Sequence, residues 1–159
     1  DPAISWKDLD FIRQEWTGPL IIKGMLDAED AREAVKQGVD GIVVSNHGGR
    51  QRDGVAPTAT KLPAVVAAVG GQAEVLVDGG IRSGVDVFRA RALGANGVMI
   101  GRPWAWALAA TGETGITGLL QSWQQELRLA MMLAGVTGIA GIGRTQLDRV
   151  SEFPLGEKQ

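Results

Sequence analysis

Short apolar runs alternate with amphipathic segments along most of the chain. Four runs are rich in Val and Ile, as strands of a parallel sheet covered on both faces are. They lie at residues 20–24, 41–46, 74–80 and 97–102. Because each run is followed by a segment with helical periodicity, the pattern predicts four βα units in an α/β fold with a parallel sheet.

The helical segments also carry recognisable start and stop signals. Asp27 is the predicted N-cap of the helix after the first strand, and Gly38 is its predicted stop. Ser5 is the predicted cap of a helix that precedes the first strand, with Asp8 three residues later. The predicted helices cover residues 5–16, 27–38, 62–71, 83–94, 103–110 and 117–135.

Four βα units are half of an eight-stranded (β/α)8 barrel. An open half exposes two strand edges and the inner sheet face, which invites pairing. We therefore expect a complementary half, in another chain, in a part of the protein outside this sequence, or in a symmetric copy. The sequence also starts without Met, as a fragment, a processed chain or a trimmed chain would. It contains no interdomain linker, so residues 1–159 are predicted to form a single domain.

Composition narrows the class of protein. Hydrophobic residues make up 45% and charged residues 21%, with a formal net charge of -2, which is typical of a soluble globular protein. The 16 Lys and Arg residues are scattered, so no nucleic-acid partner is predicted. Cysteine is absent, which excludes disulfides and thiolate ligands, and no metal site is predicted. No segment resembles a signal peptide or a membrane-spanning helix.

Polar residues follow the predicted strands at their carboxyl ends, where α/β proteins place their chemistry. The stretch "VDGGIRSG" puts two glycines and Arg82 before a helix start, and "IGRP" repeats the pattern with Gly101 and Arg102. Glycines allow close approach of a ligand, while free helix amides and a guanidinium bind anions. A surface role for each arginine is the alternative, but two such turns on neighbouring strands favour a phosphate pocket.

The second strand ends in "SNHGGR", which contains the single histidine of the chain, His47. A structural histidine is one interpretation, but its position two residues after Ser45 and three before Arg50 favours a general base at near-neutral pH. Arg50 offers a planar fork suited to a carboxylate. Ser45 fits either a packing role or a polar one.

Lys23 stands at the end of an apolar strand, where a lysine needs a partner. It is either a structural ion pair with a carboxylate or a fixed positive charge beside a group that becomes anionic during a reaction. A base, a carboxylate clamp and a phosphate pocket together describe a small carboxylic acid that is deprotonated beside a phosphorylated cofactor.

The motifs "IKG", "SNHGGRQ", "DGGIRSG" and "IGR", in this order, resemble those of the FMN-dependent L-2-hydroxy acid oxidase and dehydrogenase family. Within that family, "ISWKDLDFIR" and "KGMLDAEDAREAV" are most similar to the bacterial L-lactate dehydrogenases. The resemblance runs from about Ile4 to the tail and corresponds to the C-terminal half of a TIM barrel. It implies a flavoprotein oxidoreductase that uses FMN to oxidise a short L-2-hydroxy acid, with L-lactate preferred, to the 2-oxo acid.

The resemblance also implies a role for each strand-end residue. His47 would take the substrate hydroxyl proton in a hydride mechanism or the Cα proton in a carbanion mechanism, and Arg50 would bind the substrate carboxylate. Lys23 would lie by the flavin N1 and C2 carbonyl and stabilise the reduced, anionic ring, and Ser45 would also contact the flavin. The residues implied at the ribityl phosphate are Asp78, Gly79, Gly80, Arg82, Gly101 and Arg102.

The sequence departs from the family pattern at two points. Arg52 stands where the family has an apolar residue before Asp53, and the chain has no tyrosine. The family takes its substrate-binding tyrosines, and the aspartate that orients the histidine, from the first barrel half. We therefore expect activity to require a complementary N-terminal half, as a separate chain or a removed segment, and the full enzyme to be a homo-oligomer.

Two other functions stay open from the sequence. The chain would be a flavin- or phosphate-binding half-barrel without turnover, or a barrel enzyme acting on a nucleotide or sugar phosphate, which would need no carboxylate clamp. The expected location is cytoplasmic, with attachment to the inner face of the cell membrane left open. The electron acceptor (oxygen, a quinone or a cytochrome) and the size of the substrate side chain are also left open.

Overall fold

The computed structural model describes residues 5–148. They form a four-stranded parallel sheet in which the spatial order of the strands follows the chain. The strands are β1 (Ile21–Met25), β2 (Gly41–Val44), β3 (Glu74–Val77) and β4 (Gly97–Val98). The helices are α1 (Asp8–Glu15), α2 (Ala28–Lys36), α3 (Thr58–Val69), α4 (Gly84–Ala92), α5 (Arg102–Thr111) and α6 (Glu113–Leu133). The predicted α/β fold with a parallel sheet is confirmed.

Each pair of neighbouring strands is joined through a helix, which is the arrangement of consecutive units in a (β/α)8 barrel. The register between β1 and β2 shifts between Lys23 and Met25, where Gly24 has φ +105. The pairing of β4 with β3 covers two residues only and is shorter than the predicted run at 97–102. The strand pairing ends at Val98, where β3 also ends, and α5 begins at Arg102.

The core lies between one face of the sheet and the helices. Alternate strand side chains point to the helix layer, and α3 contributes apolar positions three and four residues apart. The strand and α3 residues of this core cluster that are no more than 3% exposed are Ile42, Val44, Val75, Val77, Leu62, Val65 and Val69. Val43, on the other face of β2, is buried as well, at 2%. Trp123 of α6 belongs to the same cluster and is 8% exposed.

The opposite, inner face of the sheet is covered less. Ile21 is 51% exposed and Met99 is 41% exposed, and Leu76 between them is half-buried. Exposed apolar side chains on a sheet face are expected of an open part of a barrel.

The structure corrects two predicted helix starts. Helix α1 begins at Asp8, and the Ser5 hydroxyl donates to the Asp8 carboxylate instead of accepting from a helix amide, so the predicted Ser5 side-chain cap is wrong. The Asp8 carboxylate does accept from the Ser5 amide at 2.6 Å, which is the reciprocal bond of the predicted pair. The Asp27 cap is confirmed, since its carboxylate accepts from the Glu29 amide at 2.8 Å. Helix α3 begins at Thr58, directly after a proline, and therefore holds Pro63 inside rather than at its start.

Candidate active site

Three of the residues that the sequence pointed to meet at the carboxyl ends of β1, β2 and β3. The Lys23 Nζ lies 2.8 Å from the Ser45 Oγ and 2.8 Å from the Asp78 Oδ2. Ser45 is 1% exposed, whereas the Lys23 side chain is 38% exposed. We call these three residues the lysine cluster. The ion pair that was one alternative for Lys23 is therefore present, with Asp78 as the partner.

The loop after β2 is shaped by hydrogen bonds to its own side chains. The Ser45 Oγ accepts from the His47 amide at 3.1 Å, and the Asn46 Oδ1 accepts from the Gly48 amide at 3.0 Å. These bonds hold a short 3₁₀ turn at His47–Gly49. His47 has φ +53, a backbone conformation that is uncommon outside glycine. The lysine cluster and the histidine loop thus share Ser45.

The His47 imidazole lies against Gly24 of β1. A Cβ placed on Gly24 would be 2.7 Å from the His47 Nε2, a distance that real Cβ atoms essentially never show. Gly24 is therefore required both for its φ of +105 and for this close approach. The sequence did not identify Gly24 as a site residue. The sequence signal that could have identified Gly24 is its place in "IKG", directly after the lysine at the end of the predicted strand.

The residues implied at the phosphate lie partly around one cavity of about 420 Å³. Its walls come from the loop after β2, the turn after β3, helices α3 and α4, and the start of α5. Of the six residues implied at the phosphate, Gly79, Gly80 and Arg102 line this cavity, and the other three do not. Both glycines have positive φ, at +86 and +83. The turn is held by the buried Thr58, whose Oγ1 donates to the Asp78 carbonyl oxygen at 2.6 Å.

The start of α4 is not the free anion site that the sequence predicted. The Ser83 Oγ accepts from the Asp86 amide at 3.1 Å, and the Glu126 Oε2 accepts from the Gly84 amide at 2.6 Å. The expectation of free amides there is wrong because Glu126, 42 residues further along the chain, already occupies one of them. At this turn, the Gly84 and Asp86 amides are therefore taken, and Arg82 and the glycines before it stay candidates to meet a phosphate. Gly101 at the start of α5 supplies no side-chain cap.

Arg50, Arg82 and Arg102 are all exposed. Within residues 5–148, none of their guanidinium groups takes part in an ion pair. The Arg82 amide donates to the Asp86 Oδ2 at 3.1 Å, and the Arg50 amide donates to the His47 carbonyl oxygen at 3.4 Å. In the same part of the chain, no ion pair or hydrogen bond joins these three side chains to the lysine cluster.

The chemistry of this edge fits a phosphorylated ligand that also carries hydroxyl groups. The Asp78 Oδ1 is buried without a hydrogen-bond partner in the described residues, which suits a hydroxyl donor. The exposed arginines suit a phosphate. FMN has both features, since its phosphate is attached to a ribityl chain, so the residues fit the cofactor that the resemblance implies.

Within residues 5–148, no three His, Cys, Asp or Glu residues are grouped closely enough to hold a metal ion. None of the helices described here is both long enough and apolar enough to span a bilayer.

Comparison with known proteins gives consistent matches over nearly the whole chain. The L-lactate dehydrogenase of Pseudomonas putida (strain W619) is 58% identical over 149 residues, which are 94% of this chain and 39% of that protein. The L-lactate dehydrogenase of Pectobacterium atrosepticum is 57% identical over 155 residues, which are 98% of this chain and 40% of that protein. The chain thus spans about two fifths of the length of the curated relatives it matches.

Solved structures agree with these relatives. The crystal structure of mandelate oxidase is 51% identical, with a TM-score of 0.84 over 87% of this chain and 40% of its own. Its structure with (S)-2-phenylpropionate gives the same identity and TM-score. The family model described as FMN-dependent dehydrogenase matches residues 1–149. The chain belongs to the FMN-dependent dehydrogenase family.

Proposed function

We propose that this chain is the C-terminal half-barrel of an FMN-dependent oxidoreductase. In this proposal the complete enzyme converts a short L-2-hydroxy acid to the 2-oxo acid, and L-lactate is the substrate that we favour. The observation that carries the proposal is the lysine cluster, with His47 held beside it on the next loop. Family membership and 56–58% identity to L-lactate dehydrogenases support the reaction class and the substrate.

Two residues of the loop after β2 act on the substrate. His47 takes one proton from the hydroxy acid, from the hydroxyl in a hydride mechanism or from Cα in a carbanion mechanism. Its exposed ring is positioned by the hydrogen bond from the His47 backbone amide to the Ser45 Oγ and by the contact with Gly24. Arg50, three residues later, binds the substrate carboxylate through two parallel hydrogen bonds.

The strand ends hold the cofactor. FMN, when bound, accepts the two electrons that leave the substrate. Asp78 would accept a hydrogen bond from a ribityl hydroxyl at its unpartnered Oδ1, in place of the phosphate contact expected from the sequence, and Lys23 and Ser45 would bind the ring. The turn residues Gly79, Gly80, Arg82, Gly101 and Arg102 would hold the phosphate. Lys23 supplies a fixed positive charge, which stabilises negative charge that develops nearby.

A complementary N-terminal half completes the barrel in this proposal, and the complete enzyme is a homo-oligomer. The exposed Ile21 and Met99 on the inner face support the first statement. The homo-oligomer rests on the resemblance to the family, and Trp104 and Trp106 of α5, 41% and 67% exposed, are large apolar side chains that an interface could cover.

The test is the anaerobic reduction of the flavin by L-lactate in the complete enzyme. His47→Gln should retain FMN and slow the reduction about 10²–10⁴-fold, which is the usual contribution of a general base. Arg50→Met should chiefly raise the substrate concentration needed for half-maximal reduction. Unchanged reduction kinetics in His47→Gln would remove this residue from the role of base.

A second candidate is a flavin- or phosphate-binding half-barrel without turnover. It is favoured by the exposed Ile21 and Met99 on the inner sheet face, which a self-pairing half-barrel would cover. Native mass, flavin absorbance and lactate-dependent bleaching, measured on one sample, separate the two candidates. A colourless homodimer supports the half-barrel module, and a yellow particle that lactate bleaches supports the enzyme.

A further inference from the structure

We infer that Asp78 sets the charge that Lys23 presents to the flavin, by fixing its ammonium group and offsetting part of its positive charge. This inference rests on the proposed function, which places the flavin at the strand ends. It adds a role to Asp78 beyond that of a cofactor ligand and makes it a positioning residue for Lys23.

The first part of the inference follows from how the ammonium group is held. A lysine has a flexible four-carbon stem and three donor hydrogens. Two of these point to acceptors at 2.8 Å, one on β2 and one on β3. Both acceptors are more buried than the lysine, since Ser45 is 1% exposed and the Asp78 side chain is 18% exposed. The third hydrogen therefore has a fixed direction and is left for a ligand.

Ser45 transmits this arrangement to the histidine loop. Its Oγ accepts from the Lys23 Nζ at 2.8 Å and from the His47 amide at 3.1 Å. A hydroxyl oxygen has two lone pairs, so both are used. The position of the ammonium group and that of the His47 backbone are thus tied to one buried atom.

The second part concerns charge. Asp78 is the carboxylate in salt-bridge contact with Lys23 among the described residues. A group beside an ion pair feels a weaker field than a group beside an isolated cation, because the opposite charge partly cancels it. Asparagine has the same shape and can keep its amide oxygen on the lysine. Asp78→Asn therefore removes the negative charge while retaining one acceptor.

The first test measures the affinity of the flavin for sulfite and its two-electron midpoint potential in the complete enzyme at saturating FMN. Both increase when positive charge near the ring becomes stronger. Asp78→Asn should lower the sulfite Kd about tenfold, and a tenfold change corresponds to about 30 mV for a two-electron couple. Lys23→Met should shift both quantities in the opposite direction. The matched control is Asp30→Asn, which makes the same charge change on the exposed face of α2, away from the cavity, and should leave both quantities unaltered.

The direction of the shift separates this inference from a merely structural role. If Asp78 only supports the fold, its replacement displaces Lys23 and weakens sulfite binding. A sulfite Kd that is unchanged or raised in Asp78→Asn would overturn the charge offset.

The second test needs no flavin. The flavin-free enzyme is treated with an acylating reagent that reacts with amines, and the modification of Lys23 is followed by peptide mass spectrometry. Lys61 is the internal reference. Asp78→Asn and Ser45→Ala should each speed the modification of Lys23 several-fold, because one of its two contacts is weakened or lost. Unaltered acylation in both variants would overturn the inference even if His47→Gln confirms the proposed function. Faster acylation with an unaltered sulfite Kd would also overturn it, since the flavin would then lie away from the ion pair.

Discussion

The two groups of charged side chains at the carboxyl edge of the sheet are built in different ways. The lysine cluster is bonded across three strands, and its serine is buried. Arg50, Arg82 and Arg102 stand on turns and loops, are exposed, and make no ion pair in the part of the chain that the structure describes. The cluster is therefore organised before any ligand binds, whereas the arginines depend on a ligand or a partner to fix them.

This difference matches the tasks that we propose for the two groups. A charge that acts on a reacting ring is most effective when its surroundings need no reorganisation during the reaction. An arginine that binds a phosphate or a carboxylate from water costs little stability in the ligand-free protein, because an exposed guanidinium is well solvated. Rigid strand ends thus hold the groups next to the chemistry, and loops hold the groups that bind anions.

The largest expected effect comes from breaking the organised region at Gly24. Gly24→Ala would place a Cβ 2.7 Å from the His47 Nε2 and would strain a backbone with φ +105. We expect flavin reduction by L-lactate in the complete enzyme to slow at least about hundredfold, because a misplaced catalytic group costs on that order.

The matched control for this change is Gly38→Ala. Gly38 has φ +74, but a Cβ there would meet nothing within 4 Å. This variant should lose stability through backbone strain and keep the rate of flavin reduction. Equal loss of rate in the two variants would show that strain, and not the displacement of His47, is responsible.

The next effect concerns the exposed group. Arg82→Met and Arg102→Met should each weaken FMN binding about tenfold to hundredfold, because a hydrogen bond to a charged group contributes about 1.5–3 kcal/mol. Arg32→Met serves as the control, since Arg32 pairs with Glu29 on the exposed side of α2 and does not line the cavity, so FMN affinity should stay within about twofold. Flavin retention after dialysis and fluorescence titration measure the affinity. Full retention in both test variants would contradict the phosphate assignment.

The sequence predicted the strands well because the alternation of βα units is a local pattern. It also predicted that Lys23, Ser45 and Asp78 share one edge, since parallel strands end on the same side. It could not predict which of them touch. That depends on register, and Lys23 pairs with Val43 while Val43 pairs with Leu76. Continuous apolar runs leave such a register undefined.

The contacts that the sequence missed join residues far apart in the chain. The Glu126 carboxylate binds the Gly84 amide, and the His47 ring packs on Gly24. Neither contact follows from a motif, because each depends on how two separate elements pack. For this reason the prediction that the first amides of α4 are free to bind a phosphate was wrong. The roles of Gly79, Gly80 and Arg82 at the phosphate stay a prediction.

A smaller effect sharpens the distinction between cap and anion site at α4. Ser83→Ala removes the acceptor of the Asp86 amide and should lower the free energy of unfolding by about 1 kcal/mol, as loss of an N-cap does. FMN affinity should not change, because the Gly84 amide stays bonded to the Glu126 carboxylate. Urea unfolding and FMN titration of the same variant measure the two quantities. A tenfold loss of FMN affinity at normal stability would instead place the helix start in the phosphate site.

The smallest effect lies outside the site, at the contact that docks α1. The Asp40 carboxylate accepts from the Leu20 amide at 2.7 Å and lies 2.8 Å from the Arg13 guanidinium. The hydrogen bond from the Leu20 amide is the larger cause, and the hydrogen bond from Arg13 the next, of a pKa of Asp40 below its ordinary value of 3.8. A lowered pKa means that this stabilisation is complete above the ordinary value and is lost as the pH falls through the pKa of the folded state.

Asp40→Asn should therefore be less stable than the unaltered enzyme at neutral pH, and the difference should disappear in acid. Because the Asp40 side chain is 52% exposed, solvent screens the pair and the difference is small. Urea unfolding at a series of pH values measures it, with Asp30→Asn on the exposed face of α2 as the control. A difference that stays constant from neutral pH into acid would mean that Asp40 acts through its shape and not through its charge.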